Sequence, residues 1–190
     1  MSVMNTFSGK RFDPMNMTSE DICTEDIAHA LSLLCRGGGH LAHFYSVGQH
    51  SLNCAKEAKA RGWSERLQLA CLLHDASEAY ISDIIRPVKV YLTNYLEIEE
   101  KIMGKIWEKY GLDDLSEEER RKWKAIDDDI LAFTLKQNLP GSQKSANYPY
   151  EGFETFYGLN RKAYMAATGA SQPRAFNFFR YALILRSRLN

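Results

Sequence analysis

Apolar residues in this chain recur three and four positions apart in one segment after another, and no stretch alternates apolar with polar residues as a half-buried strand would. From Thr24 onward Ile27, Ala30, Leu31 and Leu34 share one helical face, with Thr24 able to accept the first-turn N–H groups. Gly37-Gly38-Gly39 stops that helix, because three glycines together favour non-helical backbone. A second helix is expected over about residues 45–60, with Val47, Leu52, Ala55 and Ala58 inward and Gly62 closing it. Ser64 caps a third, whose run Leu67, Leu69, Ala70, Leu72 and Leu73 is apolar enough to be buried. Pro87 breaks the chain after Ile84-Ile85. Beyond it, residues 96–110 carry Leu96, Ile98, Ile102, Met103, Ile106 and Trp107 at helical spacing. Ser116 with Glu119 forms a capping box that opens a helix running to about Leu135. Residues 137–152 read as a long loop, and the last closing helix covers about residues 173–188. Residues 1–23 read as an ordered lead-in or a short hairpin. The fold class is therefore all-α, a helical bundle forming a single domain over residues 1–190.

Length and charge narrow the function. With 190 residues, 45% of them apolar and 25% charged, the chain can bury a real core and is not a disordered segment. Twenty-four basic residues balance 24 acidic ones, so a general binder of long nucleic acid, which needs a basic excess, is not expected. No apolar run approaches the ~18 residues of a membrane span, and the first residues lack the basic and apolar regions of a secretory signal. The expected compartment is the cytoplasm, with Cys23, Cys35, Cys54 and Cys71 as reduced thiols, since no CxxC pair is present.

The chemistry concentrates in Leu72-Leu73-His74-Asp75-Ala76-Ser77-Glu78-Ala79-Tyr80. An imidazole followed at once by a carboxylate at the end of a buried apolar run is costly unless something engages both. Glu78 follows His74 by four positions and Asp75 by three, so all three can face one side of a helix. His50 on the preceding helix and Asp127 on a later one add a second imidazole and a second carboxylate. Two imidazoles and two carboxylates suit a divalent Mn, Co, Fe, Ni or Zn ion, with Mg also admissible, rather than a thiolate-selected metal. Such groups can converge inside a helical bundle.

The spacing of His50, His74-Asp75 and Asp127 resembles the HD superfamily of metal-dependent phosphohydrolases. It is closest to the small bacterial 5′-deoxynucleotidases and their phage-type relatives, which include deoxynucleoside triphosphate hydrolases. The stretches Asp26-Ile27-Ala28-His29-Ala30-Leu31-Ser32, Phe44-Tyr45-Ser46-Val47-Gly48-Gln49-His50-Ser51 and His74-Asp75-Ala76-Ser77-Glu78, then Asp83 and Arg86-Pro87-Val88-Lys89, carry the resemblance over about residues 6–136. It implies an HD-domain bundle with a metal in its core, held by His50, His74, Asp75 and Asp127. It also implies Glu78 as the catalytic acid, Arg36 as a phosphate-binding arginine, and Asp83 as a contact to the sugar hydroxyl. Lys89 and Lys124 match lysines that bind phosphates in the relatives acting on triphosphates. Asp127 to Asp129 are three successive aspartates; Asp127 keeps the spacing to Leu131 and Ala132, and Asp128 is the alternative. A homodimer is implied as well.

The residues admit rival readings. Arg36 could serve only the C-terminal dipole of its helix. His29 reads as a core or supporting residue, while His40 and His43 flank the glycine turn. The charge run Glu117 to Arg121 reads as a solvated face, and Tyr148, Tyr150, Phe153, Phe156 and Tyr157 as a packing cluster. The expected activity is removal of the 5′-phosphate from 2′-deoxynucleoside monophosphates by a metal-activated water. The alternatives are release of triphosphate from deoxynucleoside triphosphates, a phosphodiesterase on cyclic or polymeric nucleotides, and a non-catalytic nucleotide-binding module.

Overall fold

A computed structural model describes residues 3–41 and 44–138, together with Ala182, Leu183, Leu185 and Ser187. His43, the loop expected beyond residue 138, the aromatic cluster of residues 148–157 and most of the closing helix lie outside the described residues. The described fold is mostly helical: α1 (Thr24–Leu33), α2 (Val47–Ala60), α3 (Glu65–Leu73), α4 (Glu78–Ile81), α5 (Arg86–Lys89), α6 (Thr93–Tyr110) and α7 (Glu117–Asn138). A small antiparallel hairpin, β1 (Met4–Asn5) with β2 (Arg11–Phe12), precedes them, so the lead-in is the hairpin alternative.

The centre of the bundle is α3. Every residue from Leu67 to Leu73 is buried, Gln68 being the one polar residue of that run, so this part of the helix is enclosed on all sides. It lies against both α2 and α7, with α1 packed on α2. Leu69, Leu72 and Leu73 are wholly buried, each contributing about 1.5–3 kcal/mol relative to exposure. Ile102, Ile106, Ile126 and Ile130 from α6 and α7 join the same core, as do Ala182 and Leu185.

The helix ends follow local chemistry. Ser64 Oγ accepts from Leu67 N–H, and Ser46 Oγ accepts from Gln49 N–H at the start of α2. Ser116 and Glu119 make both halves of their capping box. Gly62 and Gly111, both at positive φ, follow α2 and α6. Thr24 departs from expectation. Cys23 is the N-cap without a side-chain bond, and Thr24 Oγ1 instead meets Tyr110 Oη at 2.7 Å, because a buried hydroxyl facing α6 finds its partner there. Helix α1 ends at Leu33, before the glycines. The chain then pairs Cys35 with Ser46 in a short bridge, and Arg36 to Gly39 form a tight turn with Gly37 and Gly38 left-handed. Helix α7 runs to Asn138, past the end expected near Leu135, since nothing in the sequence breaks it before Pro140.

Helices α1 and α2 cross at Gly48. A methyl group there would sit 3.2 Å from the Leu31 carbonyl carbon and oxygen and 3.3 Å from the Ser32 nitrogen, all backbone atoms that cannot swing away. Alanine gains about 1 kcal/mol over glycine in a helix interior, yet Gly48→Ala is expected to destabilise the protein by about 1–3 kcal/mol through overpacking. Urea unfolding checks this: an unchanged or higher midpoint would show that the two helices separate without cost.

Candidate metal centre

Three helices deliver four donors to one point. His50 lies in the first turns of α2, His74 is the C-cap of α3, Asp75 follows it, and Asp127 lies midway along α7. One donor atom from each lies within 4.8 Å of the others. His50 Nε2 is 3.2 Å from His74 Nε2 and 2.8 Å from Asp127 Oδ1, and Asp75 Oδ2 is 3.2 Å from His74 Nε2. His74 and Asp75 do not sit on one continuous helix, as their spacing to Glu78 suggested. Residues 74–77 form a turn of i→i−3 bonds between α3 and α4, including Ala76 N–H to Leu73 O and Glu78 N–H to Asp75 O.

That turn fixes the His74 ring. Nδ1–H donates to the Cys71 carbonyl at 2.8 Å, satisfying an end carbonyl of α3 and leaving Nε2 aimed at His50 and the carboxylates. The Trp123 ring of α7 packs beside it, 5.7 Å between centroids. A histidine held through its far nitrogen by a carbonyl is the arrangement that orients metal ligands. His50 Nδ1, by contrast, is buried without a partner. Two imidazole nitrogens facing each other at 3.2 Å, flanked by two carboxylates, form a donor set that fits a divalent cation.

Charge in the cluster is balanced from within. Burial alone would raise both carboxyls, but His74 and Arg36 hold Asp75 well below the carboxylate range, and His50 and His74 do the same for Asp127. Burial also opposes charge on His74, yet the two carboxylates outweigh it and keep its imidazole well above its ordinary value. Burial, aided by the Arg36 charge, pulls His50 down to about 4. Arg36 reaches the cluster because the Cys35–Ser46 bridge and its own N–H bond to Tyr45 O place it over the start of α2. Its Nη1 bonds Asp75 Oδ2 at 2.5 Å and its Nη2 lies 3.8 Å from Asp127 Oδ1. The guanidinium therefore serves the cluster rather than the end of α1.

Glu78 opens α4 and is buried. Its Oε2 has no hydrogen-bond partner, and burial together with Asp75 and Asp83 pushes its carboxyl well above the usual range. Asp83 is partly buried and raised, first by burial and then by Asp75, with Arg36 and Lys89 opposing. It follows Ser82, whose φ of 71° makes it the one positive-φ non-glycine residue among those described. Lys89 pairs with Glu99 at 2.5 Å, and Lys124 is exposed. His29 stacks on Phe7 at 3.8 Å and is no ligand, and His40 is exposed. The three aspartates separate cleanly. Asp127 enters the cluster, Asp128 bonds Arg86 Nη1 at 2.7 Å, and Asp129 bonds Arg61 at 2.9 Å.

Two residues named in the sequence had no role at the site assigned to them there. Arg86 sits at the first turn of α5, where Pro87 is tolerated, and donates from Nη2 to Asp127 Oδ2 at 3.1 Å across 41 residues of sequence. Cys54 lies one turn after His50 on α2, a spacing that was legible, with Sγ 3.5 Å from His50 Nε2.

No protein-family model matches the chain. It is 46% identical over 112 residues to the uncharacterized protein YfdR of Escherichia coli K12, covering 59% of this chain and 60% of that protein. It is 40% identical over 111 residues to an uncharacterized protein of Rhodobacter capsulatus, covering 55% of this chain and 56% of the relative. The chain thus spans less than two thirds of the curated relatives it matches, and their names carry no activity. Among the described residues no helix is long and apolar enough to cross a membrane.

Two outcomes follow from the geometry. Asp127→Asn is expected to weaken Mn²⁺ binding about 100-fold or more, while Asp128→Asn leaves it nearly unchanged; isothermal titration distinguishes them, and equal losses would remove Asp127's special place. Glu78 keeps its proton in the fold at pH values where an unfolded glutamate, with a pKa of about 4.3, has lost it. Its raised pKa therefore subtracts stability as pH rises from that value through the folded-state pKa. Glu78→Gln should raise the melting temperature of the metal-free protein at neutral pH by a few degrees. The gain should vanish below about pH 4; a lower melting temperature at neutral pH would refute it.

Proposed function

We propose that this chain is a metal-dependent phosphohydrolase of the HD type acting on nucleotides. Its reaction is removal of the 5′-phosphate from 2′-deoxynucleoside monophosphates. The observation that carries this reading is the convergence of His50, His74, Asp75 and Asp127 from three helices within 4.8 Å, beside a buried Glu78. The two imidazoles and two carboxylates would hold Mn²⁺, Co²⁺, Fe²⁺, Ni²⁺ or Zn²⁺, with Mg²⁺ also compatible. Such an ion, when bound, supplies Lewis acidity, making water nucleophilic at neutral pH and neutralising phosphoryl charge.

The chain's own residues perform the rest. Arg36 bonds Asp75 and lies beside Asp127; with those carboxylates engaged by a cation, its fork of N–H donors would bind two phosphate oxygens. Glu78, kept protonated by burial and two neighbouring carboxylates, holds a proton for the leaving oxygen of the sugar. Oxygen from water bonds to phosphorus as one of its protons leaves to solvent, the phosphorus–ester bond breaks, and the ester oxygen takes the Glu78 proton; solvent reprotonates the carboxylate, and no covalent enzyme intermediate is needed. Asp83, partly buried and close enough to Asp75 and Arg36 to feel both charges, accepts from the sugar hydroxyl.

Monophosphate is preferred over triphosphate as substrate because Lys89 is occupied by Glu99 and its ammonium lies 5.4 Å over the Tyr95 ring, so it is not presented as a second phosphate clamp.

Metal-stripped protein incubated with dAMP, dATP or cyclic dinucleotides, with Mn²⁺, Co²⁺ or Mg²⁺ restored, tests the proposal. Orthophosphate from dAMP is the expected product, and Arg36→Ala should reduce its formation by about 10²–10³-fold, as loss of a charge-stabilising donor does. Triphosphate from dATP would instead make the protein a triphosphohydrolase, and no metal-dependent product from any of the three would exclude the enzyme reading.

A further inference from the structure

The donors at the centre fall into two overlapping sets. One is His50, His74, Asp75 and Asp127; the other is His50, Cys54 and His74, whose three donor atoms also lie within 4.8 Å of one another. We propose that Cys54 gives this centre a second, thiolate-bearing coordination mode for borderline and soft divalent ions such as Zn²⁺, Co²⁺ and Cd²⁺, while hard ions such as Mn²⁺ and Mg²⁺ use the carboxylates and leave the thiol aside. The inference rests on the metal-centre reading and extends it to metal selection.

Position is the first argument. Cys54 follows His50 by one helical turn, so both side chains project from the same face of α2. Its Sγ lies 3.5 Å from His50 Nε2, the same nitrogen that faces His74 Nε2 and Asp127 Oδ1. The second argument is independent of the sulfur: the Cys71 carbonyl fixes the His74 ring with Nε2 turned inward, 3.2 Å from His50 Nε2, so both imidazoles present a nitrogen to the same point as the thiol. The contrast with Cys71 is informative. It is equally buried, at 1% exposure, but belongs to neither donor set.

Donor chemistry divides the ions. Thiolate favours Zn²⁺ and its softer relatives, whereas carboxylate suits Mn²⁺ and Mg²⁺. Coordination forms the sulfur–metal bond as the S–H proton leaves to solvent, since a coordinating thiol is deprotonated outright. A sulfur in the coordination sphere also takes a position that a catalytic ion keeps open for water, so this mode resembles a structural site more than a catalytic one.

Titration of the metal-free protein with Co²⁺ tests the proposal. Wild-type protein should show the visible bands of bound Co²⁺ together with an intense thiolate-to-cobalt charge-transfer band in the near ultraviolet. Cys54→Ala should keep the visible bands and lose the ultraviolet one, with Zn²⁺ affinity falling about tenfold or more and Mn²⁺ affinity hardly changed. Visible bands without the charge-transfer band in the wild type would overturn the role of Cys54 and leave the metal centre standing. Persistence of the ultraviolet band in Cys54→Ala would assign the sulfur to another cysteine. No bound Co²⁺ at all would overturn both readings. Should Cys54→Ala fail to fold, absence of the band from the wild type still overturns the role of Cys54, and Cys54→Ser takes its place in assigning the sulfur.

Discussion

Two ionised carboxylates in the interior of a helical bundle must be matched by positive charge, and the rest of this structure is arranged around that requirement. Asp75 and Asp127 stay charged although burial opposes it, because Arg36 and His74 stand against them. The Cys35–Ser46 bridge, the left-handed glycines after Arg36 and the tight turn of residues 74–77 all place those charges. None of these features adds much to the apolar core. They are the local backbone choices that bring α1, α2, α3 and α7 to one polar point inside it.

A divalent ion ligated by two neutral imidazoles would supply the same positive charge that Arg36 and a protonated His74 supply together. The cluster can therefore be electrostatically balanced in either form. Arg36 is a counter-ion to the cluster, and under the proposed function it would also be the ligand for phosphate. The orphaned Oε2 of Glu78 and the positive φ of Ser82 lie on the same short stretch, and unmet groups of this kind concentrate where a site needs reactivity more than stability.

The surrounding ion pairs sort residues that are identical in sequence. Asp127, Asp128 and Asp129 differ only in the direction each leaves α7. Successive positions on a helix point about 100° apart, so one faces the cluster, one meets Arg86 and one meets Arg61. The same geometry brings Cys54 round to His50 after one turn of α2.

Much of this was legible along the chain. Helical spacing, the caps at Ser64 and Ser116 and the apolar run before His74 are local signals, governed by interactions within four residues, and α1, α2, α3, α6 and α7 appear close to where they predict, whereas the short α4 and α5 were not foreseen. The ligand types were legible too, because an imidazole and a carboxylate beside a buried run have few other uses. Long-range contacts were not. Nothing in the sequence sets Arg36 on Asp75, Arg86 on Asp127 or Thr24 on Tyr110, since those pairs are 39, 41 and 86 residues apart and exist only once the helices pack. The amino-acid sequence by itself determined which segments are helical and which side chains could bind a cation. Only the tertiary structure decided which of them meet, because the distance between helices is set by packing, at crossings such as Gly48 against Leu31 and Ser32.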